Sequence, residues 1–325
     1  MANDKWQMAN GEWRMAGETP NSKLKTQNSK LSSLISQLPT PMTSFDKISP
    51  TALLVTYARQ FSDIPYAAEI SDLVNAQSVV KQYATNGIED LKYFAPVMEA
   101  RYKAVNWLLA TFDCRQIVEL ASGLLPRGMV MSENPEFTFV ESDLPLMIEQ
   151  KRALVDRLIG NRPNLHFAAI DVTANPSQFP MNAEYLRPGE PIAIACEGLL
   201  QYLTLPEKQQ VFANVRQMLQ RYGGVWITPD LTTKQRRSQL RNYSPATERI
   251  LKAIAQNTGR STLDNSFENS DHLQQFVADQ GFHLQTFTLI DLLDQLSSLD
   301  RLGISAKDIT PLLAGTSIFA LTLKI

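Results

Sequence analysis

The chain is poor in the residues that build metal centres and disulfide frameworks. Its 2 cysteines, Cys114 and Cys196, give neither a disulfide framework nor a zinc-ligand spacing. Its 3 histidines, His166, His272 and His283, lie far apart with no H-x-x-x-H pair, so the sequence supports no metal site. An excess of one charge is missing too. With 31 Lys and Arg against 33 Asp and Glu, the net charge of -2 argues against a nucleic-acid or membrane surface role. No apolar run approaches the ~20 residues of a membrane span, and no signal-peptide pattern opens the chain. A soluble, reduced, cytoplasmic protein is expected. A full G-x-G-x-x-G is also lacking, which disfavours a dinucleotide site.

What is present suffices for a large core. The 325 residues are 44% hydrophobic, enough for one large α/β domain with additions or for two modest domains. The first 43 residues stand apart. "MANDKWQ", "MANGEWR" and "MAGETPN" follow one another at a seven-residue period, with Trp6 and Trp13 in the same slot, and a Ser-, Asn-, Lys- and Thr-rich stretch follows. A solenoid needs at least ~3 repeats of far longer period. Residues 1–43 are therefore expected to be a low-complexity, mobile leader, and residues 44–325 the folded domain.

From Phe45 onward, apolar residues recur at helical spacing around Thr51–Phe61, Ser71–Tyr83 and Val97–Phe112. This predicts a helical preface over 44–113. Short β-rich runs come next: Gln116–Leu120, Phe137–Glu141, Leu165–Ile170, Ile192–Cys196, Val225–Thr228, His283–Leu289 and Ser317–Leu323. Helical stretches separate most of the first five, with a weak signal around Met181–Leu186. Strand alternating with helix implies parallel strands joined by right-handed crossovers. The last two runs alternate apolar and polar residues, as an edge pair with the final strand inserted antiparallel would. Residues 232–269 read as an insertion over the edge of the sheet where ligands bind. Within it, Lys234, Arg236, Arg237 and Arg241 cluster; they are expected on the solvated face of a lid or helix, with a phosphate-binding patch as the alternative. His283 reads as a packed core residue.

The run "IVELASGLLPRG" hands a strand to a small-residue turn, with Glu119 before it and Pro126 after it. Acids then end three successive strands: Glu141 and Asp143 in "FTFVESDLP", Asp171 in "HFAAIDV", and Glu197 in "IAIACEG". A carboxylate at a strand end can accept hydrogen bonds from two ribose hydroxyls, although such acids also cap helices. Three of them after a small-residue turn favour a nucleoside ligand.

The series "LASGLLPRG", "FVESDLPLMIEQKRALV", "HFAAIDV" and "IACEGLLQYLT" resembles the consecutive motifs of the leucine carboxyl methyltransferase family, from about Ser49 to Leu231. That family includes protein-phosphatase carboxyl methyltransferases and bacterial O-methyltransferases, some of them in polyketide pathways. The resemblance implies a class I S-adenosylmethionine (SAM) methyltransferase fold: a mostly parallel, Rossmann-like seven-stranded sheet with an antiparallel last strand. SAM is the implied cofactor. Arg101 resembles the arginine that meets the SAM carboxylate, and Gly123 the glycine that lets backbone approach the methionine part. Asp143 resembles the ribose acid, with Glu141 its rival. Asp171 and Val172 resemble the adenine contact, Glu197 the acid near the ammonium, and Arg59 a further basic contact. Glu119 and Ala121 flank the same turn. The turn departs from the family pattern, since Ala121, Ser122, Leu125 and Pro126 stand where Gly, Ala, Asp and Thr are usual. Alanine fits at 121 only if its φ is negative.

The resemblance implies methyl transfer to a carboxylate or hydroxyl of a small molecule; Tyr202, a few residues beyond Glu197, reads as orienting the acceptor, with lining the pocket wall as the alternative. A carboxylate needs no base, whereas a hydroxyl of high pKa does. A protein C-terminal carboxylate as acceptor, and a SAM-binding relative without turnover, are the alternatives. Nucleic acid and membrane are not expected as partners, and the oligomeric state stays open.

Overall fold

The computed structural model describes residues 6–9, 12–15, 50–84, 86–176, 179, 184–243, 245–258 and 264–324. By its internal contacts the chain divides into two compact units, Met1–Lys47 and Ile48–Ile325. In the first, β1 (Trp6–Ala9) and β2 (Glu12–Met15) pair antiparallel, Trp6 opposite Met15 and Met8 opposite Trp13. The seven-residue repeat therefore reads as two facing strands. The sequence between them is Asn-Gly, the dipeptide most favoured in two-residue hairpins.

The second unit opens with α1 (Pro50–Arg59), α2 (Ala67–Leu73), α3 (Ala76–Tyr83) and α4 (Phe94–Thr111), the helical preface. In α4, Tyr102, Val105, Leu108 and Leu109 are buried, as their spacing predicts. The sheet then begins: β3 (Gln116–Leu120), α5 (Arg127–Met131), β4 (Thr138–Asp143), α6 (Pro145–Ile159), β5 (Leu165–Ala169) and β6 (Ile192–Cys196). No helix joins β5 to β6 among the described residues, and Met181–Ala183 of the weak signal lie outside them. There follow α7 (Leu205–Tyr222), β7 (Gly224–Thr228), α8 (Lys234–Tyr243), α9 (Pro245–Thr258), α10 (Ser270–Asp279) and β8 (Phe282–Thr288). The chain closes with α11 (Ser297–Leu302), α12 (Ala306–Ala314) and β9 (Ser317–Leu323).

The seven strands lie in the order β5-β4-β3-β6-β7-β9-β8. Five are parallel, and β9 sits antiparallel between β7 and β8. The α7 helix starts on a capping box that "TLPE" encodes: Glu207 N–H donates to Thr204 Oγ1, and the Glu207 carboxylate accepts from the Thr204 N–H. Its inner face carries Phe212 onto Trp226 of β7, with Phe276 and Phe282 completing an edge-to-face aromatic group. Helix α4 packs on β7 and β9. His283 is exposed, contrary to the expectation of a core histidine, because β8 is an edge strand with alternate side chains turned to solvent.

Register decides where the site forms. Leu120 aligns with Ser142 on one side and Cys196 on the other. The strand ends thus deliver Ala121, Asp143 and Glu197 to one edge, on both sides of β3. There the order of connection reverses, the crevice where open α/β sheets bind ligands.

Candidate active site

A cavity of about 830 Å³ opens at this edge. The turn after β3, Asp143, Arg101 and Glu197 border it, as do Tyr202 and the start of the insertion, while Val55, Phe94 and Leu199 give it apolar walls. No helix among the described residues is long and apolar enough to cross a membrane. No group of His, Cys, Asp or Glu among them is arranged to hold a metal.

The turn is strained. Ala121 has φ 51 and Gly123 has φ 48. Gly123 adopts this conformation at little cost, but Ala121 does not. The negative φ that would let an alanine fit at 121 without strain is not found. The chain holds the left-handed turn in place through the Ser122 N–H, which donates to Ser142 O at 2.9 Å, and the Gly123 N–H, which donates to Asp143 Oδ2 at 2.8 Å.

The two acids of β4 part ways. Asp143 reaches the cavity, where its oxygens accept from the Gly123 and Leu144 N–H groups. Burial pushes its carboxyl up, against those two N–H groups. Glu141 points into the interior, where Oε2 accepts from Lys151 Nζ at 2.8 Å and neither side chain has solvent access. Lys151 also donates to Leu125 O at 2.5 Å and Gly123 O at 3.2 Å, so this pair fastens the turn to α6. Burial lowers the lysine's pKa, against the pull of Glu141.

A second cluster stands across the turn. Glu197 Oε1 accepts from Arg59 Nη2 at 2.7 Å and lies 3.5 Å from Arg101 Nε, while Oε2 accepts from Arg127 Nη2 at 3.2 Å. Burial disfavours its charge, yet Arg59, Arg101 and Arg127 outweigh burial and hold the carboxyl below its usual range. Arg127, fully buried, also pairs with Glu119, donates to Asn106 and lies over the Tyr102 ring. Arg101 Nη2 donates to Asp230 Oδ1 at 2.6 Å. Asp230 in turn accepts from the Gly198, Leu199 and Leu200 N–H groups at 3.0, 2.6 and 3.0 Å. Three arginines and three acids balance, as buried charges must.

Of the residues singled out in the sequence, Arg59, Arg101, Ala121, Gly123, Asp143, Glu197 and Tyr202 line the cavity. Glu119 and Glu141 stand behind it, each holding a buried cation. Asp171 and Val172 do not line it: Asp171 is exposed and accepts from the Thr173 N–H and hydroxyl, and Val172 packs in the core. Burial pushes the Tyr202 phenol up, so it meets a ligand as a neutral hydroxyl. Neither Asp230 nor the pairing of Arg127 was singled out. Asp230 ends β7 as the other acids end their strands, so the same signal marks it. Arg236 and Arg237 turn inward to the cavity, correcting the solvated-face expectation; the side chain of Arg241 lies outside those described.

This sheet order, with its antiparallel last strands and a ligand crevice beside β3, defines a class I SAM methyltransferase fold. Solved structures agree. A DUF574 family protein from Streptomyces avermitilis aligns with a TM-score of 0.51 at 15% identity, over 85% of this chain and 97% of its own. A protein assigned as a methyltransferase from Thermobifida fusca aligns at 0.50 and 17%, over 87% and 98%. No curated protein matches the sequence. The leucine carboxyl methyltransferase family model matches residues 55–216.

Proposed function

We propose that the protein is a SAM-dependent O-methyltransferase acting on a carboxylate or hydroxyl of a small molecule. One observation carries this reading: a single cavity joins the Gly123–Asp143 turn and the Arg101–Glu197 cluster to an apolar chamber walled by the preface and the insertion. Its volume is in the range of small-molecule sites.

The donor set fits SAM. Each Asp143 oxygen takes one backbone N–H, leaving lone pairs for ribose hydroxyls. The Ser122 hydroxyl, Arg59 Nε and Arg101 Nε are buried without hydrogen-bond partners. Arg101 commits one hydrogen bond to Asp230, which leaves guanidinium N–H groups for a carboxylate. When bound, SAM supplies an activated methyl group. The chain then has to hold an acceptor oxygen in line with it and keep water out. Tyr202 is the hydroxyl placed to orient that oxygen. Among the described residues no histidine lines the cavity, which favours an acceptor that is already ionised, a carboxylate, over a hydroxyl that needs a base.

The test is incubation of the protein with SAM and fractionated metabolite pools, read by mass spectrometry. A SAM-dependent gain of one methyl group, lost with Asp143→Ala, supports the reading. SAM binding without turnover of any pool contradicts it in favour of a binding protein.

A further inference from the structure

The insertion brings two cations into the cavity without carboxylates to meet them. Arg237 donates from Nη2 to Gln201 Oε1 at 2.6 Å, and its buried Nε has no hydrogen-bond partner. Arg236 donates from Nη2 to Leu312 O at 2.7 Å and Thr316 Oγ1 at 2.9 Å, from Nη1 to Gln239 Oε1 at 3.3 Å, and leaves Nε without a partner. All of these acceptors are neutral. Neither arginine forms an ion pair among the described residues, whereas Arg59, Arg101 and Arg127 all do. Asp230 and Glu248 attract Arg237 only from beyond contact.

The position of Arg236 is built rather than accidental. A Cβ on Gly315 would fall 1.9 Å from Arg236 Nη1, so a glycine there makes room for the guanidinium against the turn before β9. Burial lowers the pKa of both arginines. A half-buried cation held by neutral acceptors alone carries a desolvation cost that a bound anion offsets. The cavity around them is largely apolar, with Val97, Leu199, Leu231 and Phe319 among its walls.

We infer that Arg237, supported by Arg236, is an anion-binding subsite for the acceptor, which is an amphipathic organic acid with an apolar body and a carboxylate head. The inference rests on the proposed function and names its substrate class. Arg237 grips the head from the insertion side, whichever oxygen of the acceptor takes the methyl. Arg101 and Asp143, on the sheet side, serve the cofactor. The planar fork of Arg237 suits a carboxylate bidentately once Nε is included.

The test is calorimetry on the full chain loaded with S-adenosylhomocysteine, with octanoate and octanol as probes. Wild type is expected to bind octanoate roughly tenfold or more tighter than octanol. Arg237→Gln is expected to abolish that preference while S-adenosylhomocysteine affinity and melting temperature stay unchanged, and Arg237→Lys to retain part of it. Equal binding of the two probes by wild type, or a preference that survives Arg237→Gln, overturns the subsite. Weaker S-adenosylhomocysteine binding by Arg237→Gln also overturns it, because the arginine then holds the cofactor's carboxylate. Failure of wild type to take up S-adenosylhomocysteine at all is a different result: it sinks the proposed function first.

Discussion

Arg101 on α4 and Asp230 beyond β7 are 129 residues apart in sequence, yet they meet at 2.6 Å with the aspartate side chain wholly buried. The carboxylate also holds three consecutive N–H groups after Glu197, so it fixes both the cavity-lining Arg101 and the loop that leads to Tyr202. Asp230→Ala leaves a buried guanidinium and three N–H groups without their acceptor. The expected loss of stability is about 3–5 kcal/mol, read by urea unfolding. A loss below ~1 kcal/mol means that water replaces the carboxylate at no cost.

Asp143 and Glu141, two residues apart, should answer differently. Asp143→Ala removes the acceptor in the cavity and is expected to weaken S-adenosylhomocysteine binding at least ~tenfold, at a smaller cost in stability than Glu141→Ala because only two backbone N–H groups lose their acceptor. Glu141→Ala strands the buried Lys151 ammonium and is expected to cost stability first, by about 3 kcal/mol or more. Paired calorimetry and unfolding measurements on both variants check this, and the reverse pattern rejects the assignment.

Ala121 offers a stabilising change. Its φ of 51 costs an alanine more than a glycine, so Ala121→Gly is expected to raise stability by about 0.5–1 kcal/mol. Thermal unfolding reads the difference. A lower melting temperature shows that the methyl group's packing outweighs the backbone strain.

Lys208 sets a pH dependence. Burial lowers its ammonium to about 8, although it donates to Leu203 O and, at 2.6 Å, to Asn265 O. Between that value and the ordinary 10.5 the unfolded chain holds the proton that the folded chain has released. Stability from this group therefore rises with pH across the window and is flat below it. Lys208→Met should flatten the rise relative to wild type in denaturant melts taken from pH about 7 to 10. Parallel curves for the two proteins exclude the lysine as the cause.

Much of this architecture was legible because local and global signals agree. Val118, Val140 and Ile194 sit in β-rich runs that became parallel strands, and "TLPE" announces the start of α7. Asp143 and Glu197 were legible as strand-end acids. Arg127 was not, because its partners Glu119, Glu197 and Asn106 come from separate elements that only the fold unites. The inward turn of Arg236 escaped for a similar reason: it depends on the missing Cβ of Gly315, 79 positions further along. Glu141 and Asp143 are told apart only by Lys151, ten and eight residues on, which one helix turns toward the interior.

The central claim, that this cavity is a SAM site oriented with the carboxylate on Arg101, is tested most directly by titrating S-adenosylhomocysteine and methylthioadenosine into wild type and Arg101→Ala. The account predicts that wild type binds S-adenosylhomocysteine more tightly, and that Arg101→Ala loses roughly tenfold for this ligand and nothing for methylthioadenosine, which lacks the carboxylate. Equal weakening of both ligands, or no binding of either by wild type, would contradict it.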